Sequence, residues 1–253
     1  MYDVRIAAAA RNAVRAALVV AGISIASACG HPAPPEPSPT LSTVTAGATS
    51  TNLPVTASPT TVAGMYGDPV TAAKYWQQQS LEDNCGLVSV ADVVGQITGH
   101  APTEQEMITL AESTPSQTNP GPIYAPANDP SHANGTGGIE LGDTVVLLAH
   151  YGITSVMTDA THPDQTGLPA LQQYLTDNRK IIAWVNSAVI WNSGDQRSTA
   201  DHFLVVTGID TNNETVHLND PGADRADEQV AVTTFTTAWR TGGDSIVVTA
   251  AAG

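Results

Sequence analysis

The chain has 253 residues, 42% of them hydrophobic but only 5% aromatic, which suffices for one ordinary globular core and not for a membrane bundle. Charge is sparse and lopsided: 24 Asp and Glu face 9 Lys and Arg, for a formal net charge of −15. A surface so acidic repels phosphate backbones, so nucleic acid is excluded as a partner; its ordinary consequence is solubility.

Three of the nine basic residues, Arg5, Arg11 and Arg15, crowd the beginning of the chain. An apolar run from Ala16 to Ala28 follows and meets Cys29. A basic region, an apolar region and small residues in that order give residues 1–28 the layout of an export signal, and Ala26-Ser27-Ala28 satisfies the A-x-A cleavage rule. The run is short for a bilayer crossing, which takes about 20 apolar residues. Cys29, placed directly after it, resembles the lipid-accepting cysteine of bacterial lipoproteins, although Ala26 stands where those signals usually carry Leu. The resemblance implies a lipid on Cys29 and a membrane-anchored protein on the extracytoplasmic face, or a secreted one if the lipid is missing.

Residues 29–71 are rich in Pro, Ser, Thr and Ala and keep neither helical nor strand period. Such a composition does not bury enough apolar surface to offset the entropy of ordering, so the stretch is expected to be a flexible tether ahead of a domain spanning 72–253. Residues 72–79 read as a short helix or an extended lead-in. The segment 85–98 carries Leu87, Val88, Val90, Ala91, Val93, Val94 and Ile97 at helical spacing and stops at Gly99, with Asp83-Asn84 where N-cap residues belong. Thr103 and Glu106 form the capping-box signature of a second helix running to about 112. Residues 113–138, full of Pro, Gly and Asn, read as one long irregular loop, a length that usually signals function or disorder. Helix resumes over 140–150, then come a strand at 153–158 and a helix at 168–178. The remainder reads as strands at 181–186, 202–209, 215–219 and 245–249, with a short helix near 233–240. Helices first and antiparallel-type strands afterwards argue for an α+β class.

Two cysteines are present, Cys29 and Cys85. If Cys29 is lipidated, Cys85 lacks a disulfide partner within the chain; otherwise the two can pair, or Cys85 can be a buried inert thiol. Its position favours chemistry. Cys85 opens an apolar helix, where unpaired backbone N–H groups and the helix dipole favour thiolate, the nucleophilic form. Gln79 lies six residues earlier, close enough to aim an N–H at a developing oxyanion. His202 begins a Val-rich strand, and Asp220 ends the next one; if the two strands are hairpin neighbours, the imidazole and carboxylate can meet at one end of the sheet.

With Gln79, Cys85-Gly86, His202 ahead of Gly208, and Asn219-Asp220-Pro221 in this order, the chain from about 72 to 250 resembles the bacterial C39-like peptidases, a branch of the papain-like cysteine peptidases. The resemblance implies a papain-like α+β fold, with the nucleophile helix packed on an antiparallel sheet. It also implies peptide or amide hydrolysis by a Cys-His-Asp mechanism: Cys85 as nucleophile, His202 as general base, Asp220 as its orienter and Gln79 in the oxyanion hole. Asn219 is an alternative orienter, because papain-like enzymes often use Asn there. His217 is expected to point away from the cleft by strand alternation, and Asp201 to be a surface charge. Leu87 after Cys85-Gly86 and the long 113–138 segment depart from the family pattern. No cofactor is implied, and the seven scattered histidines give weak support for a metal. A peptide or protein is the expected substrate. Two other readings share these residues: a non-catalytic binding module on the same fold, and an amidase or transpeptidase acting on cell-wall peptides.

Overall fold

The computed structural model describes residues 63–125 and 138–251. The export signal, Cys29 and most of the expected tether lie outside the described residues. The ordered part begins earlier than composition suggested. Strand β1 (Met65–Gly67) leads into helix α1 (Pro69–Ala72), a 3-10 turn over Ala73–Tyr75 and an extended segment to Asn84. Pairing with a neighbouring strand supplies the stability that its short, weakly patterned sequence lacks.

Helix α2 (Cys85–Thr98) is the central helix. Its residues from Cys85 to Gly95 are all buried, the state expected of a helix that is apolar all round. Two helices flank it: α3 (Glu104–Ser113), opened by the predicted capping box, and α4 (Leu141–His150). In the capping box Thr103 N–H donates to Glu106 Oε2 at 2.8 Å and Glu106 N–H donates to Thr103 Oγ1 at 3.3 Å. The first half of the expected loop is ordered by polar contacts rather than irregular. Ser116 N–H donates to Gly121 O, Ser116 Oγ donates to Asp143 Oδ2 on α4, and Ile123, Tyr124 and Ala125 are buried.

The second half supplies the sheet. Strand β2 (Ser155–Thr158) is followed by helix α5 (Leu168–Thr176), strand β3 (Ile181–Val185) and the single-turn helix α6 (Ser187–Ile190). Strands β4 (His202–Asp210), β5 (Thr215–Asn219) and β6 (Glu228–Ala231) come next, then helix α7 (Val232–Arg240) and strand β7 (Ile246–Thr249). All pairings are antiparallel, in the order β2-β7-β3-β4-β5-β6, while β1 pairs with the second half of β4. The two faces are covered by different helices. Phe203, Val205, Ile182 and Val247 pack with α2, α3 and α4, whereas Leu204, Val206, Leu218 and Val248 pack with α5 and α7. Burial on both faces explains why β4 reads as an apolar run instead of alternating. Each fully buried Leu, Val or Phe contributes about 1.5–3 kcal/mol, so this double cover fixes β4 firmly. Among the described residues no helix is long and apolar enough to cross a membrane.

Candidate active site

The rigid centre of the fold carries three of the expected residues. Cys85 is the first residue of α2, His202 the first of β4, and Asp220 the residue after β5. In the β4–β5 register Val205 faces Asn219, so Asp220 continues opposite Leu204 and shares a sheet face with His202. His202 Nε2 meets Asp220 Oδ1 at 2.6 Å, with the His202 side chain 5% exposed and the carboxylate fully buried. Cys85 is a free, buried thiol near enough to the same imidazole for the two to act on each other's charge. Gly86 lets this happen: a Cβ there would lie 2.6 Å from Ile139 and 3.0 Å from Phe203, so any larger residue would push the helix start away from β4.

The electrostatics follow from the packing. Burial opposes charge on His202, but the Cys85 sulfur and the hydrogen-bonded Asp220 carboxylate outweigh it and push the imidazole from 6.5 up to about 10. Burial also works against the Asp220 charge. The His202 charge and donors from His202, Gly222 N–H (2.7 Å) and Trp191 Nε1 (2.9 Å) nevertheless hold that carboxyl below the usual carboxylate range. The cluster therefore favours an ionised pair over two neutral groups.

The segment before Cys85 is strapped to the turn after β5. Trp76 Nε1 donates to Asp220 O at 2.6 Å, and Gln79 N–H donates to Pro221 O at 2.9 Å. Gln79 is thus held beside the site by its backbone. Its side-chain Nε2 donates to Leu81 O at 2.7 Å, leaving one amide hydrogen uncommitted by that bond, while Oε1 is buried without a hydrogen-bond partner. Asn84 occupies the N-cap position, but its side chain makes no capping bond; Nδ2 donates instead to Glu104 Oε1 at 2.6 Å. Glu104 also accepts from Ser80 N–H and Oγ, so it gathers the pre-cysteine loop onto α3. Asp83 is not a cap either, because its carboxylate is taken by Tyr124 Oη at 2.8 Å. The first intrahelical bonds of α2 run from Leu87 and Val88 N–H to Asn84 O, so the N–H groups of Cys85 and Gly86 precede the helical ladder.

Asn219, the alternative orienter, does not face His202. Its Nδ2 donates to Asp92 Oδ2 at 2.7 Å and to Ala72 O at 2.9 Å. Burial pushes the Asp92 carboxyl from 3.8 up to about 7, against hydrogen bonds from Gln96 and Asn219 and the charge of Lys180. His217 points elsewhere, toward Asp227 (2.7 Å), and Asp201 accepts from Ser187 N–H, Ser187 Oγ and Arg197. Among the described residues no group of three His, Cys, Asp or Glu side chains is placed to hold a metal.

Sequence reasoning missed Trp191. Its indole, 44% exposed, lies with its centroid 5.0 Å from the His202 ring while its N–H holds Asp220. A lone Trp among the turn residues Asn192, Ser193 and Gly194 was the available signal. Gly222 makes room for it, since a Cβ there would sit 2.6 Å from the indole Cζ2.

An antiparallel sheet between helical layers, with a thiol at the start of the central helix beside an imidazole–carboxylate pair at a strand end, places this molecule in the C39-like peptidase fold. A solved Bacillus anthracis structure described as a C39-like peptidase shares that fold at a TM-score of 0.50, with 17% identity over 74% of this chain and 97% of that one. Residues 70–247 match the Peptidase_C39 like family, and the chain belongs to it. Uncharacterized proteins of Mycobacterium tuberculosis and Mycobacterium bovis are each 46% identical over 198 residues, which cover 73% of this chain and 84% of theirs.

Proposed function

We propose that this chain is an extracytoplasmic cysteine peptidase that hydrolyses peptide or amide bonds through Cys85, His202, Asp220 and Gln79. The observation that carries the reading is the buried 2.6 Å His202–Asp220 bond beside the free, buried Cys85 thiol that opens α2. With Nε2 bound to Asp220, Nδ1 is the nitrogen left to take the thiol proton. The Cys85 thiolate attacks the scissile carbonyl, forming the C–S bond of a tetrahedral adduct. The uncommitted Gln79 amide hydrogen and the Cys85 N–H, which precedes the helical ladder, are the donors available to its oxyanion. His202 then gives the proton to the departing amine as the C–N bond breaks. Water, deprotonated by His202, releases the acyl group and restores the thiol. Membership in the Peptidase_C39 like family supports a peptide substrate. Export, with Cys29 lipidated, rests on the layout of residues 1–29.

The test is cleavage of a complex peptide mixture read by mass spectrometry. Cys85→Ala is expected to abolish cleavage and His202→Ala to come close. The double variant should be little worse than either alone, because groups acting as one unit are not additive. Full cleavage by Cys85→Ala would place the nucleophile elsewhere and end this reading.

A further inference from the structure

A second carboxyl group stands behind Asp220. Glu228 opens β6 and pairs across the ladder with Leu218, so it lies on the sheet face that Asp220 continues two residues later. It lines a cavity of about 210 Å³ with Trp191, Gly222, Ala223, Asp224 and Arg225, and two of those residues, Trp191 and Gly222, are donors to Asp220. The Glu228 carboxyl is close enough for the Asp220 charge to act on it, and its Oε2 is buried with no hydrogen-bond partner.

Two adjacent carboxylates without a cation between them do not both stay ionised, and the donor count decides which one keeps a proton. Asp220 receives three donors, from His202, Gly222 and Trp191, whereas Glu228 Oε2 receives none. Arg225 does not neutralise Glu228 by a salt bridge: its ion pair, 3.9 Å long and exposed, is with Asp224. The remaining titratable neighbours are few. His217 on β5 and Asp227 before β6 bind each other, His202 begins β4, and α7 carries only Arg240 in its last turn.

We propose that Glu228 is a positioning residue for the His202–Asp220 pair: its carboxyl donates a hydrogen bond to the Asp220 carboxylate, and its ionisation adds a second negative charge that strengthens the hold of Asp220 on the imidazolium. Burial, then the charge and hydrogen bond of Asp220, push the Glu228 carboxyl from 4.5 up to about 7, with Arg225 and His202 pulling it down. The site accordingly has two forms near neutrality. In the acid form the Glu228 O–H is a fourth donor to Asp220 and weakens its pull on the His202 proton. In the alkaline form that proton has gone to solvent through the cavity, and the thiolate–imidazolium pair is held more tightly. This inference rests on the Cys85–His202 reading above.

The experiment uses the full chain with Cys29→Ser, so that Cys85 is the single thiol. Rates of Cys85 alkylation by iodoacetamide are measured from pH 5 to 9, and the ring nitrogens of His202 are followed by NMR from pH 5 to 11. The unsubstituted site should show an inflection near pH 7 in the His202 shifts while the imidazolium persists. Glu228→Gln, which keeps a donor but does not ionise, should lose that inflection and release the His202 proton about one pH unit lower, the size of one screened charge nearby. The same inflection in Glu228→Gln, or none in the unsubstituted site, overturns the proposal whether or not the variant folds well. His202→Ala separates the two readings. If its alkylation profile matches that of the unsubstituted site, the Cys85–His202 reading itself fails; if it differs while Glu228→Gln matches, the Glu228 proposal alone fails.

Discussion

Removing the indole that covers the His202–Asp220 bond is the most informative perturbation of this site. The imidazolium and carboxylate charges attract by about 4 kcal/mol at 4 Å and an effective dielectric near 20, but by about 1 kcal/mol in bulk water. Complete exposure would thus cost the ion pair about 3 kcal/mol, or roughly two pH units in the His202 proton affinity. Trp191 covers one side only, and His202 and Asp220 are otherwise buried, so Trp191→Ala should cost about half of that. Relief of the burial that opposes the imidazolium offsets part of this, so His202 would release its proton less than one unit below its present value near 10. At pH 6 the imidazolium persists in both proteins, so the change is read from the His202 ring nitrogens by NMR between pH 8 and 11 in the Cys29→Ser chain. Trp191→Phe separates cover from hydrogen bonding. It keeps a ring over the pair and loses only the N–H to Asp220, which leaves the carboxylate more basic, so the His202 proton should be held at least as tightly as before. Gly222→Ala reaches the same end without touching the indole, because its Cβ would lie 2.6 Å from Cζ2 and drive the ring off the pair. Superimposable profiles for Trp191→Ala and the unsubstituted site, or identical losses in the Ala and Phe variants, would refute the dielectric argument.

Three further outcomes follow from other parts of the molecule. Asp92 binds protons more tightly when folded, so stability should be greatest below the unfolded carboxyl range and fall as pH rises from about 4 to about 7, by on the order of 4 kcal/mol at most. Asp92→Asn should flatten that slope in urea titrations at several pH values; an unchanged slope would show that another group is responsible. Gln79→Ala should lower kcat by roughly 10²–10³ with little change in KM if its free amide hydrogen serves the oxyanion, and an effect confined to KM would assign it to substrate binding. Mass spectrometry of the membrane-fraction protein should find Cys29 as a lipidated N-terminus, and an unmodified Cys29 would remove the anchor while leaving export open.

The parts of the site legible in the sequence were those with a local signature. A thiol opening an apolar helix and a histidine opening an apolar strand are visible one segment at a time, and the Asn219-Asp220-Pro221 turn completed the set. Alternation at the end of β5 sets Asp220 against His202 and puts Asn219 on the α2 side against Asp92. Residues acting across the fold left no such mark. Trp191 and Glu228 matter because the 187–192 segment and β6 converge on Asp220, and both α6 and β6 were too short to register as periodic elements. Strand β1 was hidden in the same way: three residues show no period, and only the free edge of β4 beyond β3 makes them a strand. In the loop before Cys85, Asp83 and Asn84 carried the right chemistry for a cap, but Tyr124 and Glu104 bind them from the other side.

The pairing of β1 with β4 also sets a direction of approach. Met65 sits opposite Asp210, at the end of a nine-residue strand whose other end is His202. At about 3.4 Å per residue, the two ends lie about 27 Å apart. The preceding chain therefore joins the domain at the pole opposite the imidazole. Tension on that chain would load a three-residue strand, paired with β4 alone, before it reaches the reacting groups at the other end.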